Sequence, residues 1–112
     1  MELQFKKDGI IGIIHIKGRI DAGNVSELKS HITQWLSQTN QLLFDMGEVD
    51  FIDSTGLGGI VACLKNVSEA SGTLKIAALQ TKPRMIFEIT RAYKIFDIYD
   101  DVESALKSYH SE

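Results

Sequence analysis

Residues 50–59 read DFIDSTGLGG, so Asp53, Ser54 and Thr55 set one carboxylate and two hydroxyls in a row. Gly56, Gly58 and Gly59 follow, spaced around Leu57. Three kinds of chemistry use such a cluster: gripping a phosphate, attacking a substrate, or receiving a group from another protein. A nucleotide loop of the form G-x-x-x-x-G-K-[ST] needs a lysine to reach the β- and γ-phosphates. Here no basic residue follows the glycines until Lys65. The dinucleotide pattern G-x-G-x-x-G fails as well, because the run from Gly56 ends on Val61. A nucleophile elbow needs G-x-S-x-G, whereas Phe51, Ile52 and Asp53 precede Ser54. The histidines that could serve as a base (His15, His31 and His110) lie elsewhere in the chain. No His/Asp/Glu group has metal-ligand spacing. Neither a cofactor, a metal nor a catalytic serine is expected, and the chain does not read as an enzyme.

A purely structural account of the stretch competes with a functional one. Asp53 or Ser54 can cap a helix by accepting a hydrogen bond from an amide one turn on. Gly56 can admit a close neighbouring chain.

The surrounding elements decide what these residues could face. Leu3 and Phe5 suggest a short strand, and Asp8-Gly9 a hairpin turn. Ile10–Gly18 follows as a β-branched strand, apolar on both faces and therefore central. Val25, Leu28, Ile32, Trp35 and Leu36 then keep the spacing of a buried helical stripe, with Asn24 and Glu27 resembling a capping box. Gln41–Met46 is a short strand, and a helix starting at Ser54 should bury Leu57, Ile60, Val61, Leu64 and Val67. A strand over Thr73–Leu79, a helix capped by Thr81 with Pro83 in its first turn, a strand over Lys94–Tyr99 and a helix capped by Asp100 with Glu103 complete the chain. Val102, Ala105, Leu106 and Tyr109 should face inward from that last helix. The order is ββαβαβαβα. It implies one α/β domain over residues 1–112, with a mixed, largely parallel sheet joined by helical crossovers.

Composition agrees with that class. The chain has 112 residues, 44% hydrophobic and 24% charged, which suits one self-sufficient core. Its 15 acidic and 12 basic residues are dispersed and sum to −3, without the basic stripe that direct binding to DNA or RNA would need. The single cysteine, Cys63, excludes an intrachain disulfide. No apolar run approaches the ~20 residues of a membrane helix. The amino terminus lacks the pattern of a signal peptide. A cytoplasmic protein is expected.

What favours function over capping alone is the face that the central helix leaves outward. With Leu57, Ile60, Val61 and Leu64 turned in, that face begins with Gly58, Gly59, Ala62 and Cys63. Each glycine costs about 1 kcal/mol relative to alanine in a helix. A solvated face normally carries Glu, Lys or Gln instead. A flat strip of small residues lets another protein come close, with Ser54 at its rim.

The segment VDFIDSTGLGGIV, together with the earlier GRID, resembles the signature of STAS domains, specifically bacterial anti-sigma-factor antagonists. The resemblance spans essentially the whole chain in size, element order and motif position. It implies that Ser54 is a phosphoacceptor, that Asp21 lies beside it and aids kinase binding or phosphorylation, and that Asp53 is the motif aspartate. Thr55 stands where the family often has a second serine and is a second candidate acceptor. The implied partners are an anti-sigma factor with a GHKL-type serine kinase fold and a PP2C-type phosphatase. Asp21, Asp53, Ser54, Gly58, Gly59 and Ala62 would form the partner-binding surface. The family's Ser-Gly pair before the last strand is missing from ITRAYKIF, so the geometry of that loop is left open. The resemblance thus implies an anti-sigma factor antagonist that works as a switch, binding the anti-sigma factor when unmodified and released by phosphorylation on Ser54. Two other readings stand beside it: a constitutive STAS scaffold subunit of a transporter or stressosome-like complex, and a small nucleotide-binding enzyme.

Overall fold

In the computed structural model, which describes residues 1–110, Gly9 takes a positive φ of 63° and with Ile10 turns the chain between two antiparallel strands. These are β1 (Glu2–Asp8) and β2 (Ile11–Ile20). Helix α1 (Val25–Leu36) leads to β3 (Gln41–Ile52), and α2 (Ser54–Glu69) leads to β4 (Thr73–Ala77). Helix α3 (Thr81–Ile89) and a 3₁₀ turn (Ala92–Lys94) lead to β5 (Asp97–Tyr99), and α4 (Val102–His110) closes the order. The expected ββαβαβαβα sequence is present; its expected limit at residue 112 lies outside the described residues.

The five strands lie in the sheet in chain order, β1-β2-β3-β4-β5, and every pair after the hairpin is parallel. Side chains alternate across a strand, which sorts the core into two layers. Ile14, Ile16, Leu42, Phe44, Leu74 and Ile76 point to the layer covered by α1, α2 and α3. Ile11, Leu43 and Ala77 point the other way and are covered by α4 through Ala105 and Leu106. Each fully buried aliphatic or aromatic side chain contributes about 1.5–3 kcal/mol. On the α4 side, Lys75 is only 1% exposed. Its Nζ donates to Ser108 Oγ at 2.8 Å and sits 4.1 Å from the centre of the Tyr109 ring, which ties α4 to the sheet.

Several boundaries differ from the sequence reading. Strand β3 runs to Ile52 rather than ending at Met46. Its register with β2 shifts twice, between His15 and Lys17 and between Gly18 and Arg19, so β3 carries two extra residues over the same span. The expected strand over Lys94–Tyr99 is shortened to β5, because Arg91 takes a left-handed φ of 62° and the chain coils into the 3₁₀ turn first. This is the loop where the Ser-Gly pair is missing. Gln80 rather than Thr81 caps α3, although Pro83 does fall in its first turn. Asp101 rather than Asp100 opens α4: its carboxylate accepts from the Ser104 amide at 2.7 Å, which holds its pKa below the usual carboxylate range.

Candidate functional site

The register of the two central strands builds the site. Ile20 pairs with Ile52, so the next residues, Asp21 and Asp53, leave adjacent parallel strands side by side. The Asp53 amide donates to the Ile20 carbonyl at 3.2 Å, which extends the pairing one step past the strand ends. Asp53 is then the N-cap of α2: its Oδ1 accepts from the Gly56 amide at 2.6 Å, and its Oδ2 accepts from the Ala22 amide at 3.3 Å. One carboxylate therefore caps the helix and clips the loop after β2 to it. Such a cap contributes about 1 kcal/mol.

Asp21 organises its own turn. Its Oδ1 accepts from the Gly23 amide at 2.9 Å, and its Oδ2 pairs with Arg19 Nε at 3.3 Å. Asn24 does not form the expected capping box with its side chain. Instead, its Oδ1 accepts from the Asp21 amide at 3.0 Å and its Nδ2 donates to the Arg19 carbonyl at 2.9 Å, bracing the Asp21 turn. Arg19 lies within GRID, where nothing in the sequence signals a role for it. Its guanidinium lies 4.3 Å from the centre of the Phe51 ring, its register partner on β3. That contact needs the strand register, which spacing along the chain does not supply.

Ser54 is the first residue of α2 and is exposed, as is Thr55. Their amides belong to the first helical turn, where N–H groups have no intrahelical acceptor and the dipole favours an anion. Ser54, Gly58 and Ala62 stand four residues apart on one side of the helix. Gly58 is exposed and Ala62 half-buried, so these three form the outward strip.

The other glycines do not belong to it. A Cβ at Gly56 would collide with the carbonyl oxygen of Ile20, so this glycine lets the first turn of α2 sit on the end of β2. Gly59, expected on the outer face, is buried, and a Cβ there would collide with Val25 of α1. Cys63, expected on the same face, is fully buried, its thiol pushed up to about 12 by burial. The buried stripe of α2 is Gly56, Leu57, Gly59, Ile60, Cys63 and Val67, while Val61 and Leu64 are only half-buried. The helix is thus turned relative to the expected face, because glycines at tight contacts, with backbone at Gly56 and with a side chain at Gly59, count as interior. A Cβ at Gly58 meets nothing within 4 Å.

The histidines take up other work. His15 Nδ1 is hydrogen-bonded to Asp45 Oδ2 at 3.0 Å and its Nε2 to Glu48 Oε1 at 2.9 Å, the carboxylates being the acceptors. The Asp45 hydrogen bond, reinforced by both carboxylate charges, raises its pKa above 6.5 against partial burial. His31 bonds the Glu27 carbonyl through Nδ1 at 2.8 Å and lies against Trp35, and His110 ends α4. Among the described residues, no histidine is hydrogen-bonded to Ser54, and no group of three His, Cys, Asp or Glu side chains could hold a metal ion. No helix among the described residues is long and apolar enough to cross a membrane.

The sequence of this domain matches the STAS domain family model over residues 2–105. The anti-sigma-B factor antagonist of Bacillus subtilis is 32% identical over 85 residues, covering 76% of this chain and 78% of that protein. An anti-sigma factor antagonist from Mycobacterium paratuberculosis superposes with a TM-score of 0.85 at 20% identity, covering 96% of this chain and 92% of that one. The antagonist SpoIIAA in its unphosphorylated form gives 0.82 at 14% identity over 99% and 98% of the two chains. A structure of the Bacillus SpoIIAA protein in the phosphorylated form gives 0.73. The chain belongs to the STAS domain family, among the anti-sigma factor antagonists.

Proposed function

We propose that this chain is a phosphorylation-gated binding switch. Unmodified, it docks the Ser54–Gly58–Ala62 strip and the neighbouring Asp21 and Asp53 on an anti-sigma factor of GHKL-type kinase fold. That partner then transfers the γ-phosphoryl group of ATP to Ser54. The serine Oγ–P bond forms, the bond to the β,γ-bridging oxygen breaks, ADP leaves, and the hydroxyl proton passes to the kinase. A PP2C-type phosphatase restores the serine with water, releasing phosphate. In this reading the chain acts in the cytoplasm as substrate and ligand, not as catalyst. Names of relatives support it: the Bacillus subtilis protein is an antagonist of an anti-sigma factor, and SpoIIAA has a phosphorylated form.

The observation that carries the reading is Gly58. It lies one turn beyond Ser54 on the same side, exposed, and its missing Cβ makes room for no contact among the described residues. A glycine there costs about 1 kcal/mol of helix stability. Close approach of another backbone accounts for that cost.

Phosphorylation adds about −1.5 to −2 charges at pH 7. The first-turn amides of α2 accommodate an anion without unfolding the helix, while Asp21 and Asp53 oppose it. The larger effect falls on the interface. Burying an uncompensated charge there costs about 3–4 kcal/mol, a loss of roughly 100- to 1000-fold in affinity.

The test captures partners with Ser54→Ala and measures the recovered kinase against wild type, Ser54→Ala and Ser54→Asp. Weak binding by Ser54→Asp alone, with phosphate appearing on Ser54 when kinase and ATP are added, supports the switch. Equal binding by the Ala and Asp variants, with no phosphate on Ser54 or Thr55, overturns it and leaves the constitutive scaffold.

A further inference from the structure

The two carboxylates beside Ser54 are held in different ways. Asp53 is fixed by two amides, those of Gly56 and Ala22. Asp21 has one amide, that of Gly23, on its Oδ1, and its Oδ2 is held by the Arg19 guanidinium. A carboxylate tied through a single oxygen can still swing about that bond, so the Arg19 contact fixes the plane of the group. It also sets a positive charge against Asp21 at the point where Asp21 and Asp53 leave neighbouring strands. Like charges placed so close oppose one another.

Arg19 is itself held at three points, although its side chain is 59% exposed. Its guanidinium lies 4.3 Å from the centre of the Phe51 ring, its Nε donates to Asp21 at 3.3 Å, and its carbonyl accepts from Asn24 Nδ2 at 2.9 Å. Phe51 is 36% exposed and pairs with Arg19 one rung before Ile20 and Ile52. An exposed ion pair contributes little to folding, so stability alone does not account for this arrangement. Stacking on a ring sets the plane of a guanidinium, and with it the direction of Nε–H. Beside the ring is an open hollow of about 640 Å³, lined by Arg19, Asp50, Phe51, Gln80, Thr81 and Lys82. Without the ring, Arg19 has room to turn into this hollow toward Asp50 and leave Asp21. Lys82 lines the same hollow, but among the described residues Asp21 forms its ion pair with Arg19.

We propose, resting on the phosphorylation reading of Ser54, that Arg19 is a positioning residue for phosphoryl transfer, acting through Asp21 with Phe51 as the platform that aims it. Phe51 orders the guanidinium, and the guanidinium orders the Asp21 carboxylate. That carboxylate then meets the kinase in the pose that brings Ser54 to ATP.

The test gives the kinase recovered with Ser54→Ala, together with ATP, to wild type, Arg19→Ala, Asp21→Ala, their double variant, Phe51→Leu and Lys82→Ala. Phosphate on Ser54 is followed by mass spectrometry. Arg19→Ala should lower kcat/KM by about tenfold, through whichever of kcat or KM Asp21→Ala changes. The double variant should be no slower than Asp21→Ala, because Arg19 then has no carboxylate to place. Phe51→Leu should show a smaller loss and Lys82→Ala none. Without any kinase, NMR relaxation should show an ordered Arg19 Nε–H bond in wild type that loosens in Phe51→Leu and in Asp21→Ala. Arg19, Phe51 and Lys82 are all exposed, so far-UV circular dichroism of their variants should match wild type; Arg19→Ala stands alone if Phe51→Leu does not. Wild-type kinetics in Arg19→Ala or in Asp21→Ala overturn the proposal while the switch stands. So do losses that multiply in the double variant, an equal loss in Lys82→Ala, or an Nε–H bond as mobile in wild type as in Phe51→Leu. Absence of phosphate from wild-type Ser54 overturns the switch itself, and this role with it.

Discussion

The two sides of α2 use glycine for opposite reasons. On the inner side, Gly56 and Gly59 vacate space that Ile20 and Val25 of the same chain already occupy. On the outer side, Gly58 vacates space that none of the described residues uses. Three glycines in one short motif thus divide into two that hold the fold together and one that the fold does not require. A motif glycine is informative about function only after its intramolecular neighbours have been accounted for.

Substitution by alanine should break that symmetry, and the largest effect is expected at Gly56. Its new methyl group would meet a backbone carbonyl that cannot rotate away, so Gly56→Ala should lower unfolding stability by about 3 kcal/mol in a urea titration. Gly59→Ala meets a side chain instead, stiff Val25, and should cost about 1–3 kcal/mol by the same measurement. If either variant were as stable as wild type, the inner glycines would have no packing role. Next in size, Asp53→Ala removes the cap and the clip to Ala22 and should cost about 1–2 kcal/mol, with Asp53→Asn retaining much of it. Gly58→Ala should go the other way, stabilising the domain by about 0.5–1 kcal/mol while weakening partner binding in calorimetry. A destabilised Gly58→Ala, or one that binds its partner normally, would erase the distinction between the two sides.

The smallest effect lies across the sheet and asks whether the strands bearing Asp21 and Asp53 are also held by charge. His15 bridges Asp45 and Glu48 on β3, and Lys17 adds a pair with Glu48 at 3.7 Å. The His15 pKa is raised in the folded state, so its contribution is fully present below the unfolded value near 6.5 and is lost as pH rises through the folded one. Wild type should therefore lose up to about 1 kcal/mol across that window relative to His15→Gln, a size set by solvent screening of a half-exposed pair. Parallel pH profiles for the two proteins would remove the bridge from the account.

Much of the fold was legible because its signals are periodic. Val25, Leu28, Ile32 and Trp35 are buried where their spacing put them, and the alternation of strands and helices gave the parallel sheet. Other features depend on contacts that spacing cannot carry. Hydrophobicity marks Leu57 and Ile60 as interior but is silent on Gly59, whose burial follows from the approach of α1. Two neighbouring aspartates, Asp100 and Asp101, look alike as caps until backbone geometry selects one. The extra residues of β3 interrupt its alternation, once near Gly47 and again at Asp50, which disguised the second half of the strand. At the site, the start of α2 at Ser54 and a cap at Asp53 or Ser54 were readable from type and position, and the structure gives the cap to Asp53. The bracing of Asp21 by Asn24 and the stacking of Arg19 on Phe51 were not, since both follow from how the strands are paired.

Strands that lie in the sheet in the same order as in the chain carry a consequence for synthesis. Every element that shapes the Ser54 site, from β2 through α2, ends at Glu69. A ribosome therefore delivers the whole site before β4 is made, and parallel strands can join one at a time without waiting for a distant partner. The segment from Thr73 onward arrives last and completes both layers of the core, α3 on one face of the sheet and α4 on the other. Lineages and engineers alike can rewrite the outward positions of that late segment while the earlier part keeps its shape.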